Sequence, residues 1–330
     1  MSTFLKPTVI VSTALGLLAR ELTLPQLVWR DAVGDFAGAY NDTISIRLPA
    51  YVAARARTLR AGTTRVQDSL FERKVDLTLD TDVYLDIPIT DEQLSLDIRD
   101  FGAQVLNPMI GGITRKLEDE LTSVITGASY VNEISFVTST DDPYKDCILK
   151  ARAYLNNAHV PFAGRSLVVG SDLETAILES AQFARTDHIG ASAEQAVREA
   201  QIGRVAGFDV YSSPAIPSDE AYAFHKTAYV MSNRAPVVPS GAPWGASDSY
   251  QGLALRTVRV FDADAVADRI ILDSWMGASA VTDDGHYDDD PDTGGKFVPV
   301  TNPASPVTGH TDGWENDTAK LVRAVKITVT

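Results

Sequence analysis

The sequence has a single cysteine, Cys147, among its 330 residues. An intramolecular disulfide is therefore impossible, and a zinc site built on cysteine ligands is not expected. Long apolar runs are also lacking, because no stretch approaches the ~18 consecutive apolar residues of a membrane-spanning helix. The first 30 residues are interrupted by charged side chains and show no apolar run leading to a small-residue cleavage site, so a secretion signal is not expected.

The sequence also lacks the short motifs of the common enzyme classes. It has no phosphate-binding loop G-x-x-x-x-G-K-[ST], no dinucleotide fingerprint G-x-G-x-x-G, no zinc motif H-E-x-x-H and no nucleophile turn G-x-S-x-G. The five histidines are scattered, and none has a second histidine or a cysteine at ligand spacing. We therefore predict no catalytic residues, no cofactor and no metal site.

One acidic run, from Asp288 to Asp292, has the spacing of the first ligands in a calcium loop. The EF-hand interpretation fails, because Thr293 stands where the sharp turn needs glycine and Pro299 stands where the last ligand must be glutamate. A looser divalent-ion site on Asp288, Asp290 and Asp292 is the lesser alternative to a solvated acidic loop.

Acidic residues outnumber basic ones by 44 to 29, which gives a formal net charge of −15. A chain this acidic is not expected to adsorb to DNA over its whole surface or to lie on an anionic membrane. Apolar residues make up 45% and charged residues 22%, which is ordinary for a folded protein and excludes disorder throughout. The length favours about two domains.

Two segments of alternating apolar residues flank a basic stretch. The alternation covers 44–48 and then 75–87, and their separation is too long for a tight turn, so we expect a long two-stranded loop. Residues 47–74 have a net charge of +5, and residues 76–100 have a net charge of −7. The simpler interpretation is two solvated faces. The alternative is that the basic loop contacts an acidic surface on another copy of the chain.

Residues 90–126 have the pattern of one long amphipathic helix. Thr90 and Gln93 fit a capping box at its start, and Gly127 suits its end. Apolar residues at steps of three or four form a single stripe: Leu94, Ile98, Phe101, Val105, Met109, Ile113, Leu117, Leu121 and Val124. Such a helix would span on the order of 50 Å, and we expect Pro108 to bend it.

The remainder of the chain mixes helical and strand patterns. The periodicity predicts helices over 144–159, 172–180 and 193–202, and strands over 166–170, 207–213, 221–231, 253–261, 269–275 and 320–330. The segment 277–318 is acidic and weakly periodic, which is typical of a surface loop.

Several short sequence motifs follow one another along the chain in a fixed order. Trp29-Arg30-Asp31 leads into Arg47-Leu48-Pro49, and Gly203 to Val210 has the form G-x-x-x-G-F-x-V. These phrases resemble, in the same order, the major capsid proteins of tailed double-stranded DNA phages, and among them the podophage-type coat proteins. The likeness covers most of residues 25–280, and the order of the phrases is more specific than any one of them.

The resemblance implies an α+β chain with the HK97-type capsid fold. In that interpretation residues 1–41 form an N-terminal arm and residues 42–86 an extended E-loop. Residues 87–144 form a P-domain with a long spine helix, residues 145–270 an A-domain, and residues 271–330 a return to the P-domain that includes an acidic surface loop.

The resemblance also implies a function, that of a structural major capsid protein. Such a protein self-assembles as hexamers and pentamers into an icosahedral phage head around double-stranded DNA, which it contacts without sequence specificity. Portal and scaffolding proteins, and a decoration protein as a further candidate, are the other implied partners, and no membrane is involved. The implied location is the virion capsid, and the host cytoplasm during assembly. Two alternatives stay open: an encapsulin-like nanocompartment shell, which has the same fold, and an acidic α/β hydrolase, for which no motif is found.

An E-loop in this family projects over the next subunit, which favours the second interpretation of the charge pattern. We therefore expect the loop arginines to lie near carboxylates of another copy, on its spine helix or elsewhere in its P-domain. The candidate contact residues are Arg55, Arg57, Arg60, Arg65, Asp97, Asp100 and Glu118.

Overall fold

The structure is a computed structural model. It describes residues 23–30, 43–48, 59, 73–90, 105, 107–138, 141–180, 203–242, 244–250, 253–262, 267–282, 285–288, 296–299 and 321–330. Within these ranges, no helix is long and apolar enough to cross a membrane.

The described elements are both helical and extended. The helices are α1 (Leu24–Leu27), α2 (Asn107–Gly127), α3 (Lys150–Asn157), which continues a π-helical segment (Pro143–Leu149), α4 (Ser171–Glu179) and a 3-10 turn (Lys226–Ala228). The strands are β1 (Thr43–Leu48), β2 (Arg73–Thr78), β3 (Thr81–Thr90), β4 (Tyr130–Phe136), β5 (Arg165–Val169), β6 (Arg204–Val205), β7 (Phe208–Ser212), β8 (Glu220–His225), β9 (Tyr229–Arg234), β10 (Trp244–Tyr250), β11 (Leu253–Asp262), β12 (Ala267–Ala280), β13 (Gly285–Asp288), β14 (Lys296–Pro299) and β15 (Leu321–Val329).

The chain divides into two compact units. Unit 1 comprises Met1–Ile44, Leu77–Gly127 and Tyr229–Ala280, and unit 2 comprises Ser45–Asp76, Ala128–Ala228 and Val281–Thr330. The two strands predicted beside the basic stretch are confirmed, because β1 and β2 form a two-stranded sheet. Side-chain hydrogen bonds join Thr43 to Thr78 and Ser45 to Asp76, so the two strands run antiparallel.

Unit 1 is an antiparallel sheet packed against α2. Its strand order is β10-β11-β12-β3, and β9 pairs with the far end of β12. α2 lies on the sheet face that carries Leu85, since a Cβ added to Gly112 would lie 3.0 Å from Leu85 Cδ1. The stripe that α2 buries consists of Met109, Ile110, Ile113, Leu117, Leu121 and Ile125. Met109 and Ile110 are adjacent, and the residues after them follow at steps of three or four, which keeps the stripe on the side of the helix that faces the sheet.

The predicted long helix is confirmed over α2. Its expected start is not tested, because Thr90, the predicted N-cap, is the last residue of β3 and residues 91–104 lie outside the described residues. Pro108 is the second residue of α2, and Val105 three residues earlier is itself π-helical, so the bend expected at Pro108 stays a prediction. Ile125 is fully buried whereas Val124 is only half-buried, so the stripe ends one residue later than predicted.

Unit 2 is a mixed sheet in the order β4-β15-β8-β5-β7-β6. β4, β15, β5 and β7 run in one direction, and β8 runs in the other. Its core joins the helices to the sheet through residues such as Ile148, Leu155, Leu167, Ile177 and Ile327. β5 is buried along its whole length, as a central strand covered on both faces should be.

Three predicted placements are wrong. The single strand expected over 221–231 is two strands, because the 3-10 turn Lys226–Ala228 takes the chain from β8 in unit 2 to β9 in unit 1. The segment 145–270, expected as one A-domain, therefore includes β9, β10 and β11, which belong to the sheet packed on α2. The terminal strand β15 pairs with β4 and β8 in unit 2 rather than returning to the helix-bearing unit. Alternation reveals that a segment is a strand but does not identify the edge with which it pairs.

Candidate assembly surfaces

One face of the unit 1 sheet is turned away from α2, and we name it the open face. Side chains alternate along each strand, so the open face carries Asp82, Tyr84, Asp86 and Pro88 of β3 and Arg269, Ile271, Asp273 and Trp275 of β12. Tyr84 is 67% exposed and Trp275 is 42% exposed. The register places Tyr84 opposite Asp273 and Trp275 opposite Asp82, so the two aromatic residues are diagonal neighbours. Exposed aromatic residues of this kind are enriched in protein interfaces.

The open face also carries an ion pair, between Arg256 of β11 and Asp273 of β12. Arg256 Nε donates to Asp273 Oδ1 at 2.9 Å, a second bond joins the same two side chains, and Arg256 Nη1 donates to the Val237 carbonyl at 2.7 Å. Burial, reinforced by the Asp273 carboxylate, raises the pKa of Asp82, and Arg256 opposes the shift. The single guanidinium therefore balances two carboxylates.

A second charge cluster connects strands that are far apart in the sequence. Arg269 of β12 bonds to Asp86 of β3, and its Nη1 lies 3.8 Å from Asp262 Oδ2 of β11. Exposed pairs of this kind contribute only ~0–1 kcal/mol each. Their main effect is to fix the positions of the charges that the open face presents.

Glu118 of α2 holds the segment that precedes the first described strand. Its Oε1 accepts from the backbone N–H of Thr23 at 2.8 Å and of Leu24 at 3.3 Å. Thr23 does not cap α1 with its own side chain, so the Glu118 carboxylate satisfies the free N–H groups of this helix. The neighbouring Trp29 exchanges backbone hydrogen bonds with β9, through Tyr229 O and Met231 N.

Replacing Glu118 with alanine is expected to lower the free energy of unfolding by about 1 kcal/mol, as loss of a helix cap does. It should also expose residues 23–30 to proteolysis, because Thr23 and Leu24 lose their acceptor. Glu118→Gln keeps an acceptor oxygen and is the matched control. Limited proteolysis followed by mass spectrometry measures the release, and equal cleavage of the two variants would contradict this role.

The structure places few of the sequence-predicted contact residues. Arg55, Arg57, Arg60, Arg65, Asp97 and Asp100 lie outside the described residues. Glu118 is half-buried and bonded within unit 1. The open face was not predicted from the sequence, because alternation along 75–87 and 269–275 indicates two faces without showing which one a helix covers.

In unit 2, His225 is the last residue of β8 and lies beside the loop that leads into β5. Its Nε2 lies 2.9 Å from the Ala163 carbonyl, and its Nδ1 lies 3.3 Å from the Thr227 N–H, which donates to it. This pattern suits the neutral ring with its proton on Nε2. Burial lowers the pKa of His225 from its ordinary value of 6.5, and the charges of Arg323 and Arg165 lower it further, although the bond to Ala163 opposes the shift.

The lowered pKa of His225 makes stability depend on pH. The unfolded chain binds the proton more readily than the folded one, so stability is fully present above pH 6.5 and is lost as the pH falls through the lowered pKa. His225→Gln, which retains a donor but does not titrate, is expected to weaken this dependence. Urea denaturation between pH 7.5 and roughly 5 compares the two proteins, and identical pH profiles would exclude His225 as the cause.

The candidate metal-binding and thiol groups of the sequence are described only in part. No three of their His, Cys, Asp or Glu side chains are close enough together to hold a metal ion. Asp288 lies at the end of β13, while Asp290 and Asp292 lie outside the described ranges. Cys147 is fully buried, and burial raises the pKa of its thiol to about 12, so it stays protonated at neutral pH.

Comparison with known families and structures gives a consistent result. The sequence profile of a family described as phage capsid protein matches residues 74–287. No curated protein sequence matches the chain significantly.

Solved structures similar to this one include chains from phage particles. A chain from Mycobacterium phage Che8 is 17% identical with a TM-score of 0.56, and the match covers 93% of this chain and 91% of that one. The capsid of cyanophage P-SCSP1u gives 10% identity, a TM-score of 0.55 and coverage of 88% and 84%. The capsid of Helicobacter pylori bacteriophage KHP30 gives 9% identity, a TM-score of 0.55 and coverage of 87% and 85%. At these identities the likeness establishes the fold, which is the HK97-type α+β capsid fold.

Proposed function

Because the chain belongs to the phage capsid protein family, it is a structural protein of a phage shell, and we propose that it assembles as hexamers and pentamers into an icosahedral head around double-stranded DNA. The observation that carries the proposal is the family match over residues 74–287, which includes α2 and strands of both units. The match favours a phage head over an encapsulin-like compartment, because it is to a capsid family.

A shell of this kind has a simple energetic basis. Each copy contacts several neighbours through modest surfaces, and closure of the shell makes every contact effectively intramolecular, which multiplies weak affinities. Contacts between two different patches on identical copies generate rings, which is the symmetry that hexamers and pentamers require. No catalytic centre is needed for this function, and the virion capsid is the proposed location.

The net charge of −15 fits a container for DNA. A predominantly acidic wall repels the phosphate backbone, so packaged DNA is held by confinement rather than by specific contacts. A portal protein for DNA entry and a scaffolding protein that sets the size of the shell are proposed partners during assembly in the host cytoplasm. A decoration protein is a further proposed partner.

Electron microscopy of the purified protein tests the proposed function. After expression in bacteria, with a scaffolding protein where one is encoded beside it, negative-stain images are expected to show closed shells of uniform diameter. Analytical ultracentrifugation should find the protein in large particles. A 35.6 kDa monomer that forms no shells under any condition of salt and pH would contradict the proposal.

The basic segment 47–74 provides a second test of assembly. We propose that its arginines contact carboxylates of a neighbouring copy, with Asp97 and Asp100 as acceptors. The double charge reversal Arg57→Glu with Arg60→Glu is expected to impair assembly and leave the subunit folded. Sedimentation measures the assembled fraction, and circular dichroism verifies folding.

Salt dependence is the control for this contact. Because charges are screened beyond ~8 Å at physiological ionic strength, assembly of the unaltered protein should weaken as salt is added. Normal assembly of the double variant would show that these arginines are simply solvated.

A further inference from the structure

Phe162, on the loop that leads into β5, is 64% exposed although the loop is firmly held. Arg165, which is 2% exposed, donates from Nε to the Pro161 carbonyl at 2.9 Å and from Nη2 to the Val160 carbonyl at 2.6 Å. Its guanidinium carbon lies 4.8 Å from the centre of the Phe162 ring. The ring is therefore presented to solvent in a fixed position, as aromatic anchors of protein interfaces are. We name residues 160–164 the knob loop.

An open pocket lies elsewhere in unit 2, between the π-helical segment, α4 and the end of β4. Its volume is about 280 Å³, and its lining consists of Phe136, Thr138, Pro143, Asp172, Thr175, Ala176, Glu179 and Ser180. The lining is mixed: Phe136, Pro143 and Ala176 are apolar, and the other five residues carry carboxylates or hydroxyls. A cavity of about 150 Å³ is enough to hold benzene, so this pocket has room for a phenyl ring.

The knob loop and the pocket lie at opposite ends of the unit 2 sheet. The loop precedes Arg165, the first residue of β5, whereas α4 follows Val169, the last residue of β5. β4 ends at Phe136 beside the pocket and runs in the same direction as β5, because β15 is parallel to β4 and both β15 and β5 are antiparallel to β8. A five-residue strand spans about 17 Å, so the ring and the pocket of one copy cannot meet.

The two ends of the sheet also differ in charge. Among the described residues, the basic side chains near the knob loop are Arg152, Arg165, Arg204, Lys226 and Arg323, with the carboxylate of Asp209 paired to Arg204 at 3.6 Å. Within the same described ranges, the acidic side chains near the pocket are Asp141, Asp142, Asp172, Glu174, Glu179, Asp219 and Glu220, with Lys145 beside them and Lys326 paired to Glu220. Opposite charges at the two ends attract successive copies into a head-to-tail orientation.

We propose that the Phe162 ring of one copy inserts into the pocket of a second copy of this chain, so that unit 2 of each subunit is joined head to tail to the next within a ring. The proposal rests on the proposed shell function, and it names one contact that closes the capsomer. A heterologous contact of this kind uses two different patches on every copy and can therefore be repeated until the ring closes.

Disulfide trapping tests the contact. The double variant Phe162→Cys with Thr175→Cys places one thiol on the knob loop and one on the pocket rim. Because Cys147 is fully buried, the native thiol contributes no background. Mild oxidation is expected to yield a ladder of covalent multimers up to pentamers and hexamers on a non-reducing gel, and reductant should collapse it. Phe162→Cys with Ser135→Cys is the matched control, since Ser135 lies on β4 but does not line the pocket, and it should yield no ladder.

The outcomes separate this contact from the proposed function. Shells that form normally while the double variant stays uncrosslinked would overturn the contact and leave the shell function standing. A ladder without closed shells would support the contact and contradict the shell function. Covalent dimers from Phe162→Cys alone would overturn the head-to-tail arrangement, because they would show the ring meeting its own copy across a two-fold axis.

A charge exchange provides an independent measurement. Lys226→Glu, at an exposed position whose N–H bonds to the Gly164 carbonyl of the knob loop, should lower the multimer yield of the trapping variant about tenfold by placing like charges together. Adding Glu179→Lys on the pocket rim should restore the yield. An unchanged yield in Lys226→Glu, or no recovery in the exchanged protein, would count against the proposed pairing of the two ends.

Discussion

Replacing Arg256 with methionine is expected to lower the free energy of unfolding by about 3–5 kcal/mol. Arg256 lies directly opposite Asp273 in the register of β11 and β12, and it also donates to the Val237 carbonyl. Because the Asp273 side chain is only 5% exposed, the substitution leaves a buried carboxylate without its cation. The charge of Arg256 also partly offsets the rise in the pKa of Asp82. Without Arg256, the Asp82 and Asp273 carboxylates would repel each other with no cation between them. Urea denaturation of the unassembled subunit measures the loss.

The control for this prediction removes both charges. Arg256→Met with Asp273→Leu should recover most of the lost stability, because apolar replacements for a buried ion pair are often neutral or stabilising. The loss in the single variant should also shrink as the pH is lowered, since burial raises the pKa of Asp82 and its protonation relieves the repulsion. Equal destabilisation by the single and double variants would show that the shape of the arginine matters more than the orphaned charge.

The sequence predicts secondary structure best where the pattern of apolar residues depends on one element alone. α2 could be predicted because its buried residues recur at helical spacing and need a single partner surface. The pairing of β1 with β2 could be predicted because the two strands flank one loop. In both cases the evidence lies within a short window of the chain.

Pairing between distant strands could not be predicted in the same way. Arg269 and Asp86 are neighbours only because β12 pairs with β3, from which it is separated by most of the chain. The 3-10 turn at Lys226–Ala228 was missed because the apolar residues on either side, in β8 and β9, read as one strand. Both segments are buried, but in the sheets of different units.

The candidate contact surfaces could not be predicted for the same reason, because they are formed by residues that are distant in the sequence. Runs of like charge drew attention to the arginines of segment 47–74, whereas the described charge clusters join residues from separate strands. Phe162 gave no signal in the sequence, since an aromatic residue after proline fits a core position equally well. Its exposure depends on the three-dimensional structure, in which the buried Arg165 side chain donates to the Pro161 and Val160 carbonyls and fixes the loop.

Replacing Gly170 with alanine is expected to destabilise unit 2 by about 3 kcal/mol. A Cβ at this position would lie 2.3 Å from the Pro217 carbonyl oxygen, 2.6 Å from that of Ser218 and 2.8 Å from that of Glu220. All three atoms belong to the backbone, so no side-chain rotation can make room. The Gly170 N–H also donates to the Glu220 carbonyl at 3.0 Å, and relief of the clash would lengthen this bond. Urea denaturation of the unassembled subunit measures the effect.

Gly111→Ala is the matched control for Gly170→Ala. A Cβ at Gly111 meets no atom within 4 Å, and the residue lies inside α2, so alanine there should stabilise the protein by about 0.5–1 kcal/mol. The same chemical change is therefore expected to act in opposite directions at the two positions. A Gly170→Ala protein as stable as the unaltered chain would show that the segment following β5 can move away from residues 217–220 without cost, and the close backbone approach would then not be a constraint on unit 2.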